Sequence, residues 1–400
     1  MINKEQSLFE IIKNFPETLE VFELFWFKQI VDEKKLNTIW KNITLEQATA
    51  MKSINLVDFI DRLEEKIEEL RIEKEEKNKL TLVWLLPCPV KHPLLDALNT
   101  FMIDYKKKTG LDIVYDLKPA TEWAAWIEKN IKSSKCLDDI PDIFISAWFE
   151  TFFDKNTIGQ FRKQWDLMKI EKYKTINSSF NWIKISDPKS NYQLLWVVPA
   201  IFMIDKNVIW DIEPPKTRED LLDKRFENKI SIPVWDFEIF NVLLLNIFKL
   251  FWNDWIKKLS RNVVIALHPV EWVKQKSKIK PAVTIMPYFF TKMVWPNSSM
   301  QPYWPDDGAI ISPIYLLWKQ SKKDIIKPVT DFFMQDSTSE IMMQKGAFPT
   351  LNPKLDNKLE KWRKFLWLWW DYIEENNLTI LINKCVKIYE IYQIKKSINK

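Results

Sequence analysis

The sequence predicts an α/β protein with a mostly parallel sheet, because strands and helices alternate along much of the chain. An apolar run begins at Thr81 and ends at the Pro-Cys-Pro break of 87–89, which is typical of a buried strand followed by a loop. Apolar residues then recur at helical spacing until Gly110, after which 111–115 predicts a second strand. In such β-loop-α-β units, ligands bind in the loops beyond the carboxyl ends of the strands.

The alternation continues towards residue 315. Further strands are expected at 141–147, 193–205, 229–233, 282–287 and 309–315. Helices are expected in the segments 214–222, 238–260 and 269–276, the first of them capped by Thr217. The strand at 141–147 delivers Ser146 and Ala147 to the same edge of the sheet as Cys88. We therefore look for a binding site at this edge.

Composition limits the classes of function. The 59 basic and 54 acidic residues leave a net charge of +5, which is too balanced to indicate a nucleic-acid or anionic-membrane partner. The three cysteines, Cys88, Cys136 and Cys385, are far apart and indicate neither a disulfide framework nor a cysteine zinc site. Only His92 and His268 are present, so a histidine-rich metal site is excluded. No cofactor is expected, other than a metal or metal chelate carried as the ligand.

The sequence predicts no targeting or membrane-spanning segment. Its apolar runs fall short of the roughly 18 residues that a membrane span needs. Residues 1–7 lack the basic-then-apolar pattern of a signal peptide. We therefore expect a cytoplasmic protein that does not span a membrane.

Glycine and tryptophan occur in an abnormal ratio. The chain has 4 glycines and 21 tryptophans, whereas glycine makes up about 7% of an ordinary chain and α/β proteins depend on it for tight turns. Several tryptophans stand where glycine is expected: Trp26 ends a predicted helix, Trp235 follows a predicted strand, and Trp295 precedes Pro-Asn-Ser. An indole side chain would be strained wherever such a position needs a positive φ.

Our hypothesis is that the source organism reads the UGA codon as glycine, as some uncultured bacterial lineages do, and that UGA was translated as tryptophan in this sequence. The alternative is an authentic tryptophan-rich protein. Under the hypothesis, recoding is expected at Trp40, Trp84 and Trp148. Trp304, Trp367 and Trp370 stand among aromatic and apolar neighbours and are expected to be genuine tryptophans.

Residues 1–60 predict a small all-helical domain. Ser7 with Glu10, and Thr44 with Gln47, have the spacing of capping boxes at helix starts. Phe-Glu-Leu-Phe-Trp-Phe (22–27), Thr-Ile-Trp-Lys (38–41) and Ile-Thr-Leu-Glu-Gln-Ala (43–48) resemble a short bacterial domain of unknown function. That domain is related to the redox-disulfide domains associated with hybrid-cluster proteins. The redox relatives carry a cysteine pair, and this segment has no cysteine, so thiol chemistry is excluded here.

Four segments are expected along the chain. After the helical domain of residues 1–60, the residues 61–79 are rich in Glu, Lys and Arg and predict a charged helix that becomes a linker. A coiled-coil dimer is the alternative interpretation of this helix, although its apolar stripe is short. Residues 80–390 then form the α/β domain, and 391–400 form a basic tail.

The α/β part resembles the type 2 periplasmic binding proteins, the solute receptors of ABC importers, over roughly residues 80–376. The resemblance rests on five segments in the same order along the chain: Pro-Asp-Ile-Phe-Ile-Ser (141–146), Pro-Pro-Lys-Thr-Arg-Glu-Asp-Leu-Leu (214–222) with Asn-Lys-Ile-Ser-Ile-Pro (228–233), Trp-Pro-Asp-Asp-Gly-Ala-Ile (304–310), Lys-Pro-Val-Thr-Asp-Phe-Phe (327–333), and Gly-Ala-Phe-Pro-Thr (346–350). It is similar to the iron(III)-type branch with the same helical N-terminal domain.

The resemblance implies two α/β lobes that are joined by crossing strands near 195–204 and 307–315 and that close on a small solute. It also implies an importer permease as partner and an extracytoplasmic location as the alternative to the cytoplasm. Carried over by position, the first lobe supplies Cys88, Pro89, Val90, Ser146 and Ala147, and the second supplies Asp236, Phe237, His268, Pro287 and Tyr288.

The identity of the ligand stays open at this point. Receptors that hold bare Fe³⁺ often use neighbouring tyrosines, because this hard ion favours anionic oxygen ligands. Tyr288 has no adjacent tyrosine, so a metal ion or chelate, an anion and a small organic solute are equally compatible. An intracellular solute sensor, with the helical domain as its output module, is the alternative to an importer receptor.

Two other classes of protein are alternatives. A transferase on the same two-lobed scaffold would use Cys88 as its nucleophile and His92 as its base, but Pro89 and Pro93 disfavour a shared helical face. We therefore predict that the protein is not an enzyme. A pure interaction protein would be built around the helical domain and would leave the cleft empty.

Overall fold

The computed structural model describes residues 2–25, 38–52, 54–74, 80–85, 90–118, 126, 129–131, 134–147, 152–154, 158–162, 167–168, 173, 175–188, 192–232, 239–265 and 280–398. The chain divides into two compact units. The first contains Met1–Lys79 and Leu111–Asp116, and the second contains Leu80–Gly110 and Leu117–Lys400.

Strands and helices alternate along much of the described chain, as the sequence pattern predicts. The α-helices are α1 (Leu8–Asn14), α2 (Leu19–Leu24), α3 (Leu45–Lys52), α4 (Leu56–Lys74), α5 (Lys91–Thr109), α6 (Ile158–Arg162), α7 (Ile239–Asn262), α8 (Lys323–Met334), α9 (Asp336–Gly346), α10 (Trp370–Glu375) and α11 (Leu378–Ile398). The strands are β1 (Leu80–Leu85), β2 (Ile113–Lys118), β3 (Ile143–Ser146), β4 (Leu167–Met168), β5 (Gln193–Asp205), β6 (Ile230–Ser231), β7 (Val263–Ile265), β8 (Val283–Pro287), β9 (Met300–Tyr303), β10 (Ala309–Lys319) and β11 (Phe365–Leu366).

The first unit is a helical bundle with its own apolar core. Its α1 begins with the predicted capping box, in which the Ser7 hydroxyl accepts from the Glu10 N–H at 3.2 Å and the Glu10 carboxylate accepts from the Ser7 N–H at 3.0 Å. Thr44 and Gln47 form the same reciprocal pair before α3. The buried core contains Leu8, Ile11, Val21, Phe22, Leu45, Phe59 and Leu63. These contacts confirm the helix starts that the spacing predicts.

The second unit is built on one mixed sheet. Its strands lie in the order β1-β3-β10-β5-β8-β6-β7, while β4 and β11 also pair with β10, and β9 pairs with β5. Strands β1 and β3 are parallel, and β6 is parallel to both β7 and β8. The central strands β10 and β5 are antiparallel to each other and to their other neighbours β3 and β8. The sheet is thus two mostly parallel halves that share two long central strands.

Helices of the second unit pack on one another through aromatic contacts and hydrogen bonds. Helix α5 ends at Gly110, whose φ of 73° is a left-handed cap that glycine adopts without strain. The ring of Phe101 on α5 stacks on Phe332 of α8 with centroids 4.8 Å apart. Helix α7 packs against α11, where the Ser260 hydroxyl donates to the carbonyl of Tyr389 at 2.8 Å. The same packing continues into α11 beyond residue 390, so the first residues of the predicted basic tail are helical.

One expectation from the sequence differs from the structure, and another is not tested by it. The segment 214–222 forms only a 3₁₀ turn at Asp220–Leu222. Thr217 and Asp220 do form the reciprocal capping pair of a helix start, but the backbone becomes extended at Asp223. The Asp223 side chain accepts from the Arg225 N–H and begins a second 3₁₀ turn, Lys224–Phe226, in place of a continued helix. The helix predicted at 269–276 lies outside the described residues.

One described helix, α7, is long and apolar enough to cross a membrane by length and composition, which the sequence analysis did not single out. More than half of its most apolar stretch is buried inside the second unit. Buried core helices of globular domains have the same composition, so α7 is weak support for a membrane span.

A buried ion cluster fixes the start of β3 to the end of β10. Asp142 is 2% exposed, and its carboxylate lies 3.2 Å from the Lys319 Nζ and 2.8 Å from the Lys322 Nζ. It also accepts from the Thr81 N–H at 2.9 Å, which ties in β1. Burial is the largest influence and raises the pKa of Asp142, but the hydrogen bonds from Lys322 and Thr81 and the two lysine charges outweigh it. The net result is a lowered pKa.

We expect Asp142→Asn to destabilise the second unit at neutral pH by about 3 kcal/mol, because it leaves buried Lys319 without its counter-charge. Because the pKa of Asp142 is lower in the folded chain than in the unfolded chain, where it is about 4, the carboxylate stabilises the fold above that pH. This stabilisation is lost as the pH falls through the pKa of the folded chain. In urea unfolding, the free energy of unfolding of Asp142→Asn should be well below that of the unsubstituted protein at pH 7, and the difference should be much smaller below pH 3. Asp331→Asn, which removes a half-exposed partner of Lys327, is the control and should change little. Equal effects of the two substitutions would contradict this account.

Candidate functional site

The two halves of the sheet direct their strand ends at the same section of the central strands. At the end of β3, Ser146 pairs with Tyr315 of β10. At the end of β8, Pro287 pairs with Ala200 of β5, which in turn pairs with Ile310 of β10. The strands β3 and β8 therefore run towards each other. Their ends are separated by about five residues measured along β10, from the level of Ile310 to Tyr315, which is about 17 Å at the usual rise of a strand. This gap over β5 and β10 is the candidate site.

One side of the gap is formed by the end of β3. Ser146 and Ala147 are both buried, at 0% and 1% exposure. The Ser312 hydroxyl, from the middle of β10, donates to the Ala147 carbonyl at 3.0 Å. This bond fixes the chain where it leaves β3. Sequence reasoning missed Ser312, although it is a polar residue in the otherwise apolar run that predicts β10.

Val90 approaches the end of α9 on the same side. It is fully buried, directly before α5. A Cβ added at Gly346 would lie 2.6 Å from the Val90 Cγ1 and 2.2 Å from the Phe348 Cδ2. Glycine is therefore needed at 346, since this separation leaves no room for a side chain. The Gly-Ala-Phe-Pro-Thr segment thus packs directly on a predicted site residue.

The segment after Gly346 continues along the free edge of β5. The Val197 N–H donates to the Pro349 carbonyl at 3.0 Å, and the Leu351 N–H donates to the Leu195 carbonyl at 3.2 Å. Phe348 contacts Phe289, with ring centroids 5.3 Å apart. One short segment therefore touches the first side of the gap, the central strand and the turn after β8.

Tyr288 begins the opposite side of the gap, directly after β8. Its hydroxyl accepts from the Arg363 Nη1 at 3.1 Å, and its ring meets Trp304 edge-on at 5.4 Å. The Arg363 guanidinium lies 5.4 Å from the ring centroid of Trp304 and also pairs with Glu360 at 3.1 Å. Sequence reasoning missed Arg363, which is far from Tyr288 in the chain and has no local motif.

Two lysines lie close to each other near this side of the gap. Lys292 follows Tyr288 in the 3₁₀ turn Tyr288–Met293, and its ammonium group donates to the Gln344 carbonyl of α9. Burial, followed by the charge of Lys345, lowers the pKa of Lys292. An anion near both groups would relieve this repulsion.

The central strands carry prolines at the level of the gap. Pro199 of β5 pairs with Ile311, and Pro313 of β10 pairs with Val197. The Val197 N–H donates away from β10, to the Pro349 carbonyl, so the alternation along β5 also turns the nitrogen of Pro199 away from β10. Pro313 lies opposite Val197 and is therefore in a pair that exchanges no hydrogen bonds, so neither proline removes a bond between the two strands. The register shifts between Ile314 and Tyr315, so the pairing of the central strands is irregular where the two halves of the sheet meet.

The structure places half of the predicted site residues around the gap. Val90, Ser146 and Ala147 lie on one side, and Pro287 and Tyr288 lie on the other. The other five, namely Cys88, Pro89, Asp236, Phe237 and His268, lie outside the described residues, and their roles stay predictions. Within the described ranges, no group of three or more His, Cys, Asp or Glu side chains could hold a metal ion.

Comparison with known families identifies the class. Residues 138–376 match the model of the bacterial extracellular solute-binding protein family, and this match covers more than half of the chain. The chain therefore belongs to this family of solute-binding proteins, which confirms the prediction of a binding protein rather than an enzyme. Residues 2–60 match a domain of unknown function, DUF1858. A search of curated proteins returns no match.

Solved structures confirm the two-lobed fold of periplasmic binding proteins. The ferric binding protein from Campylobacter jejuni has a TM-score of 0.53 at 16% identity, covering 78% of this chain and 99% of that one. Iron-bound HitA from Pseudomonas aeruginosa has a TM-score of 0.54 at 11% identity, covering 79% and 99%. AfuA from Actinobacillus pleuropneumoniae, with exogenous fructose-6-phosphate bound, has a TM-score of 0.52 at 14% identity, covering 79% and 99%. At these identities the similarity shows the fold alone.

We expect Gly346→Ala to destabilise the second unit by roughly 1–3 kcal/mol, because the new methyl group would displace Val90 or Phe348. Thermal or urea unfolding measures the loss. Glu340→Ala is the matched control, since Glu340 is exposed on the same helix and should have little effect. If Gly346→Ala were as stable as the control, the close packing described here would be wrong.

Proposed function

We propose that the protein binds a small anionic solute in the gap between the ends of β3 and β8 and serves as the receptor of an ABC importer. The observation that carries this proposal is the convergence of the two strand ends on a shared pair of central strands. Loops at the carboxyl ends of strands are where ligands bind in open α/β sheets, and here two such sets face each other.

The register shift in the central strands supports closure of the two lobes on the solute. It lies between Ile314 and Tyr315, beside the end of β3, and a register shift of this kind lets a strand bend locally. Hinge closure of this kind needs only a few residues whose backbone dihedral angles change. The hydrogen bond from Ser312 to Ala147 would keep the end of β3 attached to β10 during the movement.

The charges on the Tyr288 side favour an anion. Arg363 donates to the Tyr288 hydroxyl, and Lys292 lies near Lys345. An anionic group would bind these positive charges, and both arginine and lysine suit phosphate and carboxylate groups. A carboxylate, a phosphate ester or an anionic ferric chelate satisfies this chemistry. Similar structures are described as iron-bound and as holding fructose-6-phosphate, so this fold accommodates both kinds of ligand.

For the whole chain, we propose a helical domain at 1–60, a charged helix and linker at 61–79, the solute-binding domain at 80–390 and a basic tail at 391–400. The matched family is extracellular, which supports an extracytoplasmic location over the cytoplasmic one expected from the N-terminus. An intracellular sensor is the second candidate, favoured by the separate core of the N-terminal unit, which an output module would need. Fractionation of the source cells separates these two candidates.

The ligand class is tested by a thermal-shift screen of a full-length preparation that melts cooperatively. The panel contains oxyanions, phosphate esters and ferric citrate as anions, with polyamines and thiamine as cations. A ligand at 100 times its dissociation constant stabilises the fold by about 2.7 kcal/mol, which shifts the melting temperature by several degrees. We expect saturable shifts from anions only.

The matched variants are Arg363→Gln and Lys361→Gln, which remove one positive charge each at positions two residues apart. Lys361 is exposed, whereas Arg363 touches Tyr288. Arg363→Gln should weaken binding of the anionic hit about tenfold or more, and Lys361→Gln should leave it unchanged. A hit among the cations, or equal effects of the two variants, would overturn the anion proposal, and the absence of any hit would weigh against a solute receptor.

A further inference from the structure

Trp252 interrupts the long helix α7 with a backbone conformation that is foreign to tryptophan. Its φ of 64° and ψ of −164° lie in a region that is essentially restricted to glycine. The indole is 71% exposed, and its ring contacts Phe248 edge-on at 6.1 Å. A Cβ at this φ clashes with the backbone, so the side chain strains the helix while most of the ring faces solvent.

Trp369, directly before α10, also has a positive φ that tryptophan rarely adopts. Its φ is 72° and its ψ is 138°, far from the small left-handed region that ordinary residues visit. By contrast, Ala347 at φ 52° and ψ 38° lies inside that region. Trp252 and Trp369 therefore need the freedom that glycine alone provides.

A second group of tryptophans is buried with an unsatisfied polar atom. Trp84 on β1, Trp196 on β5 and Trp318 on β10 are at most 2% exposed, and in the described part of the chain their indole N–H groups find no acceptor. Trp84 and Trp196 also stack on each other, with centroids 6.3 Å apart. Buried tryptophans usually hydrogen-bond this group, because an orphaned donor is costly.

Two tryptophans behave as native ones. The Trp304 indole N–H donates to the Lys364 carbonyl at 2.9 Å, and the Trp370 indole N–H donates to the Ile185 carbonyl at 2.9 Å. Both side chains are buried, and Trp370 stacks on Tyr192. Each of these positions uses both the ring and the polar edge of tryptophan.

A further four tryptophans project from turns and short connections into solvent. They are Trp182, Trp210, Trp295 and Trp362, with exposures between 52% and 81%. Glycine is the residue that such turns favour. Four large exposed indoles at turns agree with the shortage of glycine in the composition.

We propose that the natural chain has two kinds of residue at the positions written here as tryptophan, because UGA codons in its gene are read as glycine and UGG codons as tryptophan. Glycine stands at Trp84, Trp182, Trp196, Trp210, Trp252, Trp295, Trp318, Trp362 and Trp369. Genuine tryptophan stands at Trp304 and Trp370.

Peptide mass spectrometry of the protein from its source cells tests this assignment within single tryptic peptides. The peptide 365–384 contains both Trp369 and Trp370, and 293–319 contains Trp295, Trp304 and Trp318. We expect glycine at 369, 295 and 318, and tryptophan at 370 and 304, in the same molecules. Tryptophan at 369 and in the peptide 250–257 at 252 would overturn recoding. Glycine at 304 or 370 would overturn the assignment of glycine and tryptophan from the structural surroundings of each position.

A stability measurement tests the strain independently of the source cells. In the full chain as written, Trp252→Gly should keep or raise the melting temperature, because glycine adopts the observed φ without strain. Trp255→Gly, three residues further along the same helix, should lower it by about 2 °C or more. Trp255 has helical geometry and its ring stacks on Phe251 at 4.0 Å, so it is a matched control. A loss at Trp252→Gly as large as at Trp255→Gly would overturn the assignment at this position.

Discussion

The antiparallel pairing of β5 with β10 is the contact on which the rest of the second unit depends. Every residue of both strands is buried. On the outer edges, β3 pairs with β10 and β8 pairs with β5, while β4 and β9 continue the inner edges beyond the pairing of β5 with β10. Both central strands therefore belong to both halves of the sheet. A break in this pairing would separate the two lobes and would also remove the gap between them.

Continuous apolar runs made the strands predictable, and capping residues did the same for several helix starts. The sequence of β5 is apolar at nearly every position, which is typical of a strand covered on both faces, and Gly110 marks the end of α5. The helix predicted at 214–222 failed for a local reason. The capping pair of Thr217 and Asp220 forms, but the chain becomes extended at Asp223, whose side chain caps a second 3₁₀ turn, and a hydrophobic pattern does not show this interruption.

The candidate site was only partly predictable. Ser146 and Pro287 stand at the ends of apolar runs, so their position at a strand end could be inferred from the pattern alone. Arg363 could not be inferred, because its contact with Tyr288 depends on how distant segments meet in three dimensions. Gly346 belonged to a recognisable segment, but its reason for being glycine, the approach of Val90 and Phe348, appears only in the packing.

The long separation between β3 and β10 has a consequence for how the chain acquires its fold. The pairing of β3 with β10 joins residues near 145 to residues near 316, which are far apart in the sequence. Strand β5 also pairs with β10, more than one hundred residues later in the chain. During synthesis the first lobe therefore lacks its inner strand until most of the chain has left the ribosome. Contacts this distant in sequence slow folding and leave apolar edges exposed in the meantime. Until β10 is synthesised, the inner edges of β3 and β5 stay unpaired, and such edges can pair with strands of other chains.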